Sequence, residues 1–420
     1  MRSLWTIVRS GHWPSLLGAW LHFEVSFMVW LLLGAMGVSI ADSLALTATE
    51  TGVLLATPLL SGALLRVPVG IASDRVGAKR VGVLILLGEL GGLLWGWWGG
   101  STLGGLLVVG LLLGVAGASF AVALPIAGRA YPPAAQGFAL GVAASANSGI
   151  VLAMWVAPRV AASAGWQAAL GWMVIPVVLT LALFVVCVGS DGPAKTSRPS
   201  RWSDVWAELA EEPSWRWLCA LYAVTFGGFV GLSSVLPVLF HEQYGLSMVA
   251  AGSLTALCGL TGTLLRPVGG MVADRVGSLR VLPLVLAGLA GLLSGLAALP
   301  SVSLAGLLAW GSVGAMGFGN GVVFRLVADR FPARIGLASG VVGAAGAAGG
   351  MVLPLCVGGL KDLTGGYGLA LWLCAGLSCL MALWTGPCLG ARPVSRRAGR
   401  AERRDVSEPS LPGAPRGMEF

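Results

Sequence analysis

The 420 residues are 56% hydrophobic and 10% charged, with a mean hydropathy of +0.85, which excludes an ordinary soluble domain. The net charge of +8 could suggest a nucleic-acid partner, but the placement of the charges along the chain argues against one. Seven cysteines without metal-ligand spacing and three scattered histidines (His12, His22, His241) give no reason to expect a metal, a redox centre or any other cofactor.

Residues 1–19 carry Arg2 and Arg9, and the apolar run behind them is too long for a cleaved signal segment, so the first span is expected to stay in the protein. Runs of membrane-spanning length fall at 20–41, 51–72, 81–99, 103–125, 135–157, 166–188, 217–240, 249–273, 281–299, 303–326, 335–358 and 367–389. This predicts an all-α membrane protein of twelve transmembrane helices, in halves 20–188 and 217–390. The 64 glycines suit it, because helices associate in a bilayer where small residues let backbones approach. The 189–216 linker is rich in Pro, Ser and charge, and Trp202, Val205, Trp206 and Leu209 share one helical face there, which predicts a short amphipathic strap. The tail 391–420 is Arg/Pro-rich without apolar period and reads as disordered at the cytoplasmic surface. With both termini cytoplasmic, 21 of the 26 Lys+Arg lie inside, Arg159 and Lys361 outside, and Arg66, Arg266 and Arg325 within spans. The positive-inside rule selects that orientation, and a multi-pass protein of the cell's inner membrane is expected.

The halves are repeats. LLRVPVGIASDRVGAKRV (64–81) aligns without gaps on LLRPVGGMVADRVGSLRV (264–281), matching at 10 of 18 positions with an offset of 200 residues. Parallel repeats predict a pseudo-two-fold axis along the membrane normal, with the substrate site between the halves.

Arg66 and Arg266 occupy matching depths of spans two and eight, so this axis would bring them face to face. An arginine at a helix centre costs about 2.5–3.5 kcal/mol on insertion scales. Few acidic neighbours are available to neutralise the pair, and an anionic substrate is the natural counterion. The guanidinium fork donates two coplanar hydrogen bonds, which suits a small planar oxyanion better than a lysine would.

The segments Gly70-Ile-Ala-Ser-Asp74-Arg75-Val-Gly77 and Gly270-Met-Val-Ala-Asp274-Arg275-Val-Gly277 resemble the loop motif of the major facilitator superfamily. Asp74 and Asp274, near helix ends, can pair with arginines and so favour one packing of the halves as a gate latch. FEVSFMVWLLLGAMG (23–37), GASFAVALP (117–125), YPPAAQGFALGVAASANSG (131–149), YAVTFGGFVGLSSVLP (222–237) and GNGVVFRLVADRFP (319–332) resemble the nitrate/nitrite porter family. The glycine-rich spans five and eleven stand where that family has its nitrate-signature helices. The resemblance implies a monomeric carrier of nitrate, nitrite or both, working by alternating access.

Tyr222 and Phe226, at i and i+4 on span seven, share a face, and the family places a Tyr/Phe pair at its site in this pattern. Phe120 and Phe27 are further ring candidates beside the anion, Asn147 is a candidate amide donor in span five, and Gly343 belongs to a glycine stripe of span eleven that includes Gly340, Gly346 and Gly349. Arg325, beside Asp329 and Arg330, reads as a gate or interface charge. Glu24 and Glu89 are the acids a proton symporter would use. Permanently charged arginines favour nitrate/nitrite antiport, since an empty cationic site resists reorientation; proton-coupled symport or carriage of another small anion is the alternative. An enzyme would need a nucleophile–base pair or metal cluster that the scattered histidines do not supply.

Overall fold

The computed structural model describes residues 8–132, 135–189, 214–331 and 335–390, so the expected strap and tail lie outside the described residues. Among the described residues, 11 helices are long and apolar enough to cross a membrane. In chain order the second to sixth spans are Ala48–Val76, Ala78–Trp98, Leu103–Arg129, Gln136–Ala164 and Trp166–Cys187. The seventh to tenth are Ser214–Tyr244, Met248–Val276, Ser278–Ala297 and Val302–Arg330. Spans eleven and twelve are Ile335–Thr364 and Gly368–Gly390.

The first span begins earlier than expected and is broken into Trp13–Trp30, Leu32–Ala35 and Gly37–Leu44. The breaks bracket Gly34, where an added Cβ would lie 3.0 Å from the Ser234 main chain of span seven, so the helix bends where it meets its partner most closely. With this broken span included, the architecture fits the expected twelve.

The repeat persists in the backbone. Ala45 and Gly245, Gly77 and Gly277, and Gly165 and Gly365 all have positive φ, each pair 200 residues apart in the chain. Gly77 and Gly277 turn the chain between spans two and three and between eight and nine, where φ values of 105° and 96° lie outside what a side chain tolerates.

At the end opposite these turns the halves touch. A Cβ at Gly52 of span two would lie 2.4 Å from the Pro354 carbonyl oxygen of span eleven, and Arg159 of span five donates to the Ser253 hydroxyl of span eight at 2.9 Å. The Asp362 carboxylate accepts from the Ala48 and Thr49 backbone amides at 3.2 and 2.8 Å, so span eleven caps the N-terminus of span two. Asp42 and His241 approach to 3.7 Å between spans one and seven. Towards the Gly77 and Gly277 end the halves separate around a cavity of about 760 Å³.

Candidate functional site

Spans two, four, five, eight, ten and eleven line this cavity, and Arg66 and Arg266 both stand at its wall. They are 4% and 9% exposed and close enough for their charges to repel. Among the described residues no carboxylate pairs with either.

Local irregularities place the partners of Arg66. A 3₁₀ turn at Gly114–Ala118 interrupts span four, and the Gly117 carbonyl accepts from Arg66 Nε at 2.8 Å. Arg66 Nη1 donates to the Gly343 carbonyl of span eleven at 2.5 Å. Its guanidinium carbon also lies 5.3 Å from the Trp30 ring centre, 5.8 Å from that of Phe120 and 5.2 Å from that of Phe226. Arg266 lies 5.4 Å from the Phe324 ring centre and beside the Tyr222 hydroxyl, and among the described residues its Nη1 has no partner. The backbone of span ten crosses Arg266 at Gly321, where a Cβ would sit 2.0 Å from the Arg266 carbonyl oxygen.

A π-helical turn at Ala223–Gly227 separates Tyr222 from the rest of span seven. Tyr222 and Phe226 stack with centroids 5.0 Å apart and parallel rings. They join a closed circuit of aromatic rings: Phe23, Phe27, Trp30, Phe226, Tyr222, Phe324 and Phe120 contact one another in sequence, and Phe120 returns to Phe23 at 5.7 Å. The circuit crosses between the halves twice, at Trp30 against Phe226 and at Phe120 against Phe324.

Of the residues expected at the site, Arg66, Arg266, Tyr222, Phe226 and Phe120 are therefore brought together. Gly343 takes part through its carbonyl. Phe27 stands one ring back, against Trp30 and Phe226. Asn147 does not line the cavity: it is buried in a 3₁₀ turn packed against spans one and eight, and its Oδ1 has no partner. Glu24 accepts from the Ser148 hydroxyl at 2.7 Å, while Glu89 faces Ser26 with neither oxygen hydrogen-bonded. Neither acid lines the cavity.

Gly70, Asp74 and Gly270 stand at the cavity wall, and Arg75 and Arg275 are exposed. Asp74 pairs with Arg129 at 3.7 Å, and Asp274 with Arg325, which also holds Asp329. Both pairs join neighbouring helices of one half, so in this state neither ties the halves together.

Trp30, Phe324 and Gly117 also build the site, though neither composition nor spacing marks them. Trp30 donates from Nε1 to the Pro58 carbonyl at 2.8 Å and its indole fills the space left by Gly62 and Gly117, contacts that no local spacing signals. Phe324 lies beside Arg325 inside GNGVVFRLVADRFP, where one apolar ring among several carries no signal of its own.

Residues 19–327 match the family model described as Major Facilitator Superfamily. The chain is 32% identical over 370 residues to a nitrite extrusion protein of Bacillus subtilis, covering 87% of this chain and 92% of that protein. It is 34% identical over 387 residues to a probable nitrate/nitrite transporter, NarK2, of Mycobacterium tuberculosis, covering 90% and 96%. A crystal structure of a D-xylose-proton symporter superposes with a TM-score of 0.71 at 17% identity, over 91% of this chain and 98% of that one.

Proposed function

Because this chain belongs to the Major Facilitator Superfamily, a family of multi-pass membrane transporters, we propose that it carries nitrate and nitrite by alternating access, exchanging one for the other. The observation that carries this reading is the pair of buried arginines on one cavity with no carboxylate partner. Relatives named as nitrite-extruding and nitrate/nitrite-transporting proteins support nitrate and nitrite as the anions.

The chemistry supports a small planar anion. Aromatic faces and an apolar wall flank the guanidinium groups, which can donate hydrogen bonds to a planar oxyanion in the cavity. With the Gly77 and Gly277 end cytoplasmic, the cavity is the inward-open site of a monomeric carrier in the inner membrane, and the contacts of spans two with eleven, five with eight and one with seven are its closed outer gate. Moving two bare cations through the occluded state is costly, and a bound anion offsets that cost on every passage. Exchange follows from this requirement. Glu24 and Glu89 stand off the cavity, which favours exchange over proton symport.

Proteoliposomes loaded with nitrate test the reading. External nitrite should accelerate nitrate efflux, and an imposed proton gradient should leave the exchange rate unchanged. Uptake that follows the proton gradient, without acceleration by the opposite anion, would overturn antiport.

A further inference from the structure

We propose that Thr263 is a substrate-binding residue, its hydroxyl and the free Nη1 of Arg266 forming the docking half of the site for the planar anion. The inference rests on the anion reading above and adds a ligand to it. Several buried polar side-chain atoms lack a partner among the described residues, and those on residues lining the large cavity are Thr263 Oγ1 and Arg266 Nη1. The two residues are 8% and 9% exposed and lie three positions apart on span eight, hence on one helical face.

A threonine in a helix ordinarily satisfies its hydroxyl on the carbonyl four residues back. Span eight allows this: Thr255 donates to Ala251 at 2.9 Å and Thr261 to Leu257 at 3.1 Å. Thr263 makes no such bond, and it is the one threonine among the described residues whose buried hydroxyl is unpartnered. Leaving a buried donor unmade is expensive, and more so for a charged one. An anion that reaches both atoms recovers that cost.

The repeat sharpens the assignment by its asymmetry. The counterpart of Thr263, 200 residues earlier, is Ala63, which offers no hydroxyl. The counterpart of Arg266 is Arg66, whose Nε and Nη1 are already bound to the Gly117 and Gly343 carbonyls. Unfilled hydrogen-bonding capacity is thus concentrated on span eight, and the anion docks there first.

The test is counterflow in proteoliposomes for the wild type, Thr263→Val and Thr263→Ser, with anion-free thermal stability measured alongside. Thr263→Val should raise the half-saturation for nitrate by about tenfold at an unchanged maximal rate, and Thr263→Ser should stay within about twofold of wild type, because only the hydroxyl matters. If valine crowds the helix and lowers stability, Thr263→Ala supplies the same loss in a smaller side chain. Wild-type half-saturation in a well-folded variant without the hydroxyl, or equal impairment in the serine variant, overturns the proposal. A wild type that exchanges neither nitrate nor nitrite sinks the functional reading before any substitution is compared, and this inference with it.

Discussion

Arg66 on span two donates to the Gly343 carbonyl on span eleven at 2.5 Å, so a cation of one half is held by the main chain of the other. A backbone oxygen thus occupies part of the guanidinium fork, and on the proposed reading a bound anion competes with it. The fork is what lets Arg66 serve the Gly117 and Gly343 carbonyls at once. A lysine offers one nitrogen.

Arg66→Lys and Arg266→Lys are each expected to lower exchange by at least about tenfold although the charge is kept, because the loss is of paired, coplanar donors. Counterflow with purified variants of normal thermal stability measures this. Near-wild-type exchange in both would refute the fork argument.

The glycine stripe of span eleven predicts a graded series. An added Cβ meets nothing within 4 Å at Gly340, Arg66 Nη1 at 3.3 Å at Gly343, the Tyr222 ring at 2.3 Å at Gly346 and Ala223 at 2.6 Å at Gly349. Gly340→Ala should leave thermal stability unchanged and Gly343→Ala should alter it little. Gly346→Ala and Gly349→Ala should cost about 1–3 kcal/mol, as overpacked cores do, with Gly346→Ala also displacing the Tyr222 ring that stacks on Phe226. Thermal unfolding of the four variants gives the order, and equal stabilities would show that span eleven packs otherwise.

Asp362 closes the opposite end by capping span two through the Ala48 and Thr49 amides and the Thr49 hydroxyl. Asp362→Ala removes these contacts between spans eleven and two and should shift the carrier towards the state open at that end by several-fold. Thr51, 5% exposed beside the small cavity there, reports the change: Thr51→Cys should react faster with a water-soluble thiol reagent when Asp362 is Ala. An unchanged rate would remove Asp362 from the gate.

The halves were legible because lipid imposes long apolar runs and because the repeat around Arg66 and Arg266 survives as identical letters. Tyr222 and Phe226 were legible through their spacing taken together with the family resemblance. Trp30 and Phe324 were not, since an aromatic circuit between helices depends on how each helix is rotated about its axis, which hydropathy along one strand of sequence does not encode. The breaks at Leu31 and Met36 escaped for a related reason: nothing local forces them, and they arise where Gly34 meets Ser234. Glu24 and Glu89 show the same limit, being alike by hydropathy yet turned away from the cavity.

That last placement is what the exchange proposal predicts from, against proton symport. Glu89 is wholly buried against Ser26, with no hydrogen bond to either carboxylate oxygen, and lies off the cavity that holds the arginines. A proton taken up there has no contact with the anion through which to be coupled. Glu89→Gln keeps the shape and removes the titration, so it should leave counterflow within about twofold of wild type on both sides of neutral pH. Glu24→Gln keeps an oxygen that can accept from Ser148 and should behave similarly. If instead Glu89→Gln retains counterflow but abolishes uptake driven by a proton gradient, the wild type is a symporter with Glu89 as its proton site, and the exchange assignment fails.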